Sequence, residues 1–159
     1  MAEVDGSSFF DSRRIFIDLP GGDVRPVLAE ISRRLEASGD VRDAEDLVRR
    51  LMEREKLGCT ALGGGMSIPH TKVPGLDRPT VAIGVSRDGV DFHAFDGKPV
   101  RLIFLVLSPA DSPAGHLQVL ARISRLIKTP GVTEAILAAD NAEQIRETLS
   151  EADARLAGS

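Results

Sequence analysis

Val100-Arg101-Leu102-Ile103-Phe104-Leu105-Val106-Leu107 is the stretch whose reading decides the fold. After Arg101 it runs for six aliphatic or aromatic residues without a break. That is far short of the roughly 20 apolar residues a bilayer-spanning helix needs. It has the length and composition of a strand buried on both faces. Such a strand requires a helical layer on each side of its sheet, which implies an α/β domain.

The segments before it continue in strand periodicity. Val81, Ile83 and Val85 alternate, and Asp88-Gly89 marks a turn. Residues 90–95 read as another strand, with Phe92 and Phe95 toward the core and His93 turned to solvent; Asp96-Gly97 marks the next turn. Met66-Ser67-Ile68 reads as a brief extended stretch, because Pro69 keeps Ile68 out of the helical region. Two helices are expected further upstream. In residues 25–37, Val27, Leu28, Ile31 and Leu35 share a face and Gly39 supplies the stop. In residues 41–56, Ala44, Leu47, Val48 and Leu51 form the apolar stripe. Ile15, Ile17 and Leu19 alternate as a short strand ended by Pro20-Gly21-Gly22. Residues 1–12 are weakly patterned and read as a flexible leader to one domain over residues 13–153.

Downstream, Ser112 is the expected N-cap of a helix with Pro113 at its first position, running to Lys128 before Pro130-Gly131. A short helix is expected over residues 132–139. Asn141 then caps a final helix, with Gln144 in the capping-box position. The order predicts one α/β domain with a mixed sheet between helical layers.

Composition narrows the function classes. The chain has 159 residues, 42% hydrophobic and 28% charged, which is one globular domain. A net charge of −4, six Phe and no Trp or Tyr argue against a nucleic-acid module or an aromatic stacking platform. The single cysteine, Cys59, excludes an internal disulfide and suggests a reducing compartment. No membrane insertion is expected. C-x-x-C, H-E-x-x-H and H-x-H spacings are absent, so neither a metal nor another cofactor is expected. Gly63-Gly64-Gly65 lacks the Gly-Lys-Ser/Thr ending of a P-loop and reads as a turn allowing close backbone approach. No G-x-S-x-G elbow is present.

Three residues remain as candidates for chemistry. A neutral imidazole is a nucleophile at physiological pH, and His70 follows Pro69 at a strand end. His116 shares a stripe with Leu120, Ile123 and Ile127, so it should project inward from the first turn of its helix, where unpaired N–H groups favour anions. Arg54 continues the stripe of Leu47 and Leu51, so it must snorkel, pair with an acid or point into a site. Each also has a structural reading: a loop histidine beside a proline, a core-edge histidine on a carbonyl, a snorkelling arginine.

Arg54-Glu55-Lys56-Leu57-Gly58, followed by Gly63-Gly64-Gly65-Met66-Ser67-Ile68-Pro69-His70, resembles the active-site signature of type-2 EIIA domains of the phosphoenolpyruvate-dependent phosphotransferase system. The resemblance continues through Val90-Asp91-Phe92, Phe95-Asp96-Gly97-Lys98-Pro99-Val100 and residues 116–126, and spans about residues 14–150. Within the family the chain looks most like the nitrogen-related regulatory proteins. The resemblance implies a three-layer α/β/α sandwich around a mixed sheet. It implies that His70 is the phosphorylated histidine and that His116 and Arg54 stabilise the phosphoryl group.

The donor is then an HPr-like phosphocarrier protein. The targets are a transporter or sensor kinase, and the location is cytoplasmic. A sugar-specific component that passes phosphate to EIIB is the near alternative, and a non-phosphorylated EIIA-like regulatory binding module is another. No permease segment accompanies the domain, in keeping with a stand-alone regulator. Two positions depart from the family pattern: Thr71 stands where Gly is usual and could hydrogen-bond the phosphate, and Ser67 stands where Ala is usual.

Overall fold

The apolar stretch forms β7 (Val100–Pro109), in which every residue but Arg101 is buried. A computed structural model of the chain describes residues 9–158. In chain order, after a 3-10 turn at Ser12–Arg14, the other elements are β1 (Ile15–Phe16), β2 (Gly22–Asp23), α1 (Val24–Ala37), α2 (Ala44–Leu57), β3 (Ala61–Gly63), β4 (Met66–Ser67), β5 (His70–Val73) and β6 (Thr80–Asp91). After β7 come α3 (Pro113–Lys128), α4 (Val132–Ala138) and α5 (Ala142–Ala157).

The sheet is mixed and ordered β1-β6-β7-β4-β3, with β2 also on β6 and β5 also on β7. β6 and β7 run antiparallel, while β1 and β2 lie parallel to β6, and β4 and β5 parallel to β7. Alternation along β7 divides the core. Leu102, Phe104 and Val106 pack with Val119 and Ile123 of α3, Ile136 of α4 and Ile145 and Leu149 of α5. Ile103, Leu105 and Leu107 pack with Val27, Leu28 and Ile31 of α1 and Leu47 and Leu51 of α2. The architecture is the expected three-layer α/β/α sandwich.

The helix caps follow local chemistry. Asp43 accepts the N–H of Asp46, so α2 starts at Ala44, where its apolar stripe begins and three residues later than the expected range. Asn141 accepts from the Gln144 N–H, and the Gln144 Oε1 accepts from the Asp140 N–H at 2.7 Å. Ser112 is the N-cap of α3 with Pro113 in the first turn, although its side chain makes no capping bond.

Three expectations are corrected. Asp88-Gly89 does not reverse the chain: β6 continues to Asp91 through a register shift between Val85 and Val90. Gly89 has φ +87°, and a Cβ there would stand 2.6 Å from Pro99 Cβ, so the dipeptide makes a bulge. The extended strand is retained because Val90 pairs with both Gly22 and Val100.

The strand expected over residues 90–95 therefore ends at Asp91, whose Oδ1 accepts the His93 N–H at 2.8 Å. His93 takes φ +56°, which breaks the alternation. His93 is exposed as expected, but Phe95 is also exposed (85%) and does not face the core.

The third correction concerns the leader. Residues 1–8 lie outside the described residues, but Phe9 and Phe10 are buried in the core beneath α3 and α5. Arg122 stacks over the Phe9 ring at 3.9 Å and pairs with the buried Asp153 of α5. Phe10→Ala is expected to cost about 3–5 kcal/mol in denaturant unfolding, as for a core phenylalanine. A change below about 0.5 kcal/mol would mark the segment as surface.

Candidate functional site

The site is assembled from the end of α2, the start of β5 and the first turn of α3. Leu47 and Leu51 seat α2 in the core, which brings Arg54, next on that face, to the last turn. Arg54 Nη1 donates to the Gly58 carbonyl at 2.8 Å. Glu55 accepts the Thr60 N–H at 3.2 Å and also the Thr60 hydroxyl, so the segment after the helix is drawn against its end.

The three glycines make the turn between β3 and β4. All have positive φ (86°, 67° and 84°), a run that residues with a Cβ adopt poorly. The Gly65 carbonyl accepts from Arg101 and Leu102 N–H, and Asp96 accepts from the Gly64 N–H. These bonds set β4 beside β7. The Thr60 carbonyl accepts the Ile68 N–H, and the Pro69 carbonyl accepts the Val106 N–H at 2.9 Å. His70 then opens β5 opposite Val106.

Both nitrogens of His70 are engaged. Nδ1 lies 2.8 Å from the Ile68 carbonyl oxygen. A carbonyl only accepts, so in the neutral ring Nδ1 carries the hydrogen. Nε2 keeps its lone pair and accepts from Arg54 Nε at 3.1 Å. The His116 ring stands 5.3 Å from the His70 ring, centroid to centroid, tilted by 51°. His116 is buried, and its Nδ1 meets the Ser108 hydroxyl at 2.6 Å. Its own N–H is bonded to the Ser112 carbonyl, so among the described residues the first-turn N–H groups without an intrahelical acceptor are those of Ala114 and Gly115.

The structure thus brings His70, His116 and Arg54 together. His93 is not with them: its nearest ionic neighbour is Asp91, at 3.6 Å. Two contributing residues were missed from sequence. Ser108 had one available signal, a hydroxyl directly after the apolar run Leu102–Leu107. Glu55 had only its place beside Arg54. Thr71 pairs with Leu107 and so faces the α1/α2 side, opposite His70, with its Oγ1 on the Lys72 carbonyl. Ser67 is fully buried, and its Oγ has no hydrogen-bond partner among the described residues. Among the described residues no group of three or more His, Cys, Asp or Glu side chains is arranged to hold a metal ion. None of the helices there is long and apolar enough to cross a membrane.

Residues 8–152 match the family model described as "Phosphoenolpyruvate-dependent sugar phosphotransferase system, EIIA 2". The chain is 38% identical over 114 residues to the fructose-specific EIIA component of Haloferax volcanii, covering 72% of this chain and 74% of that protein. It is 33% identical over 132 residues to a nitrogen regulatory protein of Pseudomonas aeruginosa, covering 83% and 86%. The crystal structure of nitrogen regulatory protein IIA-Ntr from Neisseria meningitidis superimposes with a TM-score of 0.81 at 33% identity, over 89% of this chain and 96% of that one.

Burial favours the neutral form of both histidines. Burial lowers the His70 pKa below its ordinary 6.5 and Arg54 adds to this, against the Ile68 bond and Glu55. Burial also lowers His116, with further contributions from His70 and Lys72. The folded state therefore binds these protons less readily than the unfolded chain. The stability contributed is complete above about pH 6.5 and is lost as pH falls through the folded values. Imidazole NMR titration should find both midpoints below 6.5, and Arg54→Gln should move the His70 midpoint upward. A His70 midpoint above 6.5, or an unmoved one in Arg54→Gln, would contradict this account.

Proposed function

Because the chain belongs to the EIIA type-2 family of the phosphoenolpyruvate-dependent sugar phosphotransferase system, we propose that it is a phosphocarrier that takes a phosphoryl group on Nε2 of His70. The observation that carries this reading is the two-sided hold on the His70 ring. Nδ1–H is committed to the Ile68 carbonyl, and the lone pair of Nε2 faces Arg54.

The donor is an HPr-like protein bearing a phosphohistidine. The Nε2 lone pair attacks its phosphorus, an N–P bond forms, and the donor's N–P bond breaks with its electron pair returning to the donor ring. The His70 ring becomes more positive in the process, and its Nδ1–H bond to Ile68 strengthens accordingly. The Arg54 donor that meets Nε2 turns to the phosphoryl oxygens. His116 and the first turn of α3 lie alongside. Such transfer is mainly positioning plus electrostatics, so side chains suffice.

Two observations favour a protein donor. Leu57, one turn past Arg54, and Leu117, next to His116, are exposed at 85% and 67%, offering apolar surface beside the histidines. Two clefts among the described residues, of about 300 and 260 Å³, are lined by other residues, none of them His70, His116 or Arg54.

The output is regulation in the nitrogen branch, in the cytoplasm, through a transporter or sensor kinase bound differently in the two phosphorylation states. Likeness to nitrogen regulatory proteins supports it. A sugar-specific role, passing phosphate to EIIB, is the second reading. It is favoured by the 38% identity to a fructose-specific EIIA component.

The test is incubation with phosphoenolpyruvate, the general phosphotransferase enzyme and the HPr-like carrier. One acid-labile phosphate is expected per chain and none in His70→Ala. Arg54→Ala and His116→Ala should label at least about tenfold more slowly. Wild-type protein that stays unlabelled with its cognate partners would sink the phosphocarrier reading in favour of a regulatory binding module. Rapid discharge to an EIIB would favour the sugar reading over the nitrogen one.

A further inference from the structure

We propose that Ser108 is a positioning residue that holds neutral His116 with its hydrogen on Nε2, so that this ring presents a donor to whatever group His70 carries. The inference rests on the proposed phosphorylation of His70 for its functional meaning, but its structural content does not.

Ser108 closes β7 on the face that carries Val106, and Val106 lies opposite His70 in β5. It is fully buried. Among the described residues its Oγ has one hydrogen-bond partner, Nδ1 of His116, at 2.6 Å. A neutral imidazole has one hydrogen to place, and two arrangements satisfy this distance. In the first, Nδ1–H donates to Oγ. The serine hydrogen is then buried without an acceptor, and a bare lone pair is left on Nε2. In the second, the hydroxyl donates to Nδ1. The serine hydrogen is then satisfied, and the ring's own hydrogen must sit on Nε2. The second leaves Nε2–H without a protein partner, but Nε2 is not among the fully buried unpartnered atoms and water can reach it; a serine hydrogen buried without an acceptor is the costlier state, so the second arrangement prevails.

Its consequence is chemical. Nε2 makes no hydrogen bond among the described residues, and the ring is 5.3 Å from that of His70. With its hydrogen on Nε2, His116 offers an N–H to phosphoryl oxygens, where the other tautomer would offer a lone pair and repel them. A hydroxyl can also accept. If His116 becomes an imidazolium beside the new negative charge, Ser108 rotates and takes the Nδ1–H. An alanine or valine at this position would do neither.

The experiment combines imidazole nitrogen NMR on the unphosphorylated protein at neutral pH with transfer rates to and from the HPr-like carrier. Wild-type His116 is expected as a single tautomer protonated on Nε2. Ser108→Ala should convert it to a mixture or to the Nδ1–H form and slow transfer about 10- to 100-fold. Ser108→Thr, which keeps the hydroxyl, should behave as wild type. A wild-type His116 protonated on Nδ1 overturns the proposal whatever the variants do, including a Ser108→Ala that fails to fold. So does a folded Ser108→Ala with unchanged tautomer and rates. Wild-type protein that shows the Nε2–H tautomer but takes no phosphate would count against the phosphocarrier reading and leave the Ser108 contact standing.

Discussion

The central strand has water on neither face. Val100–Pro109 is buried almost throughout, so its backbone N–H and C=O groups can be satisfied only by strands on both sides. β6 supplies one side along most of its length. The other side is filled piecewise, first by β4 against Leu102 and Ile103, then by the Pro69 carbonyl against Val106, then by β5. The site's geometry follows from that piecewise pairing. Pro69 has no N–H to offer a neighbour, yet its carbonyl keeps the lane in register, and the next residue is His70. Two residues along β7, on the same face, Ser108 reaches His116. The same requirement that makes the core therefore spaces the two histidines.

On the proposed reading the site faces a constraint that an ordinary binding site does not: it would have to hold a phosphoryl group and then let it go. The described site contains polar groups of moderate strength. A hydrogen bond to a charged group is worth about 1.5–3 kcal/mol, roughly one to two powers of ten in an equilibrium. Arg54 is only half-buried and shares its guanidinium with the Gly58 carbonyl. Burial favours the neutral form of His116, so it contributes a dipole to the site and not a fixed charge. Few and partly screened contacts suit reversible exchange better than a fully enclosed cationic pocket would.

What could be read from sequence was what recurs along the chain. The stripe that pointed His116 inward is real, although the buried set is His116, Val119, Ile123, Leu126 and Ile127, with Leu120 only half-buried. Arg54 was legible because it interrupts the apolar face of α2. What failed depended on partners distant in the chain. Asp88-Gly89 carries a hairpin signal, but pairing of Val90 with Gly22 and Val100 carries the strand on through a bulge. Phe95 groups with Phe92 on hydrophobicity alone: strict alternation would put it on the face of Asp91 and His93, and the strand in any case ends at Asp91. Phe9 and Phe10 form too short a run to give a period, yet α3 and α5 leave an apolar space for them. The Ser108–His116 bond joins two elements whose approach no local pattern encodes.

The two departures from the family pattern bracket His70, and neither reaches the side where His116 stands. Thr71 belongs to the opposite face of β5, by the alternation that puts Leu107 and Val106 on different sides. Ser67 lies beside Ile103 in the sheet, buried with an unpartnered hydroxyl, immediately before the residue whose carbonyl holds Nδ1 of His70. Burying that hydroxyl costs about 1–3 kcal/mol relative to a methyl group of similar size. That cost falls on the segment that sets the ring's orientation. Both residues thus act on His70 through the backbone that carries it. The contacts that define the chemistry come from elsewhere: a carbonyl from residue 68, a guanidinium from α2 and an imidazole from α3. Because those groups arrive on separate elements, the strand can absorb substitutions on its far face without losing the arrangement at Nε2.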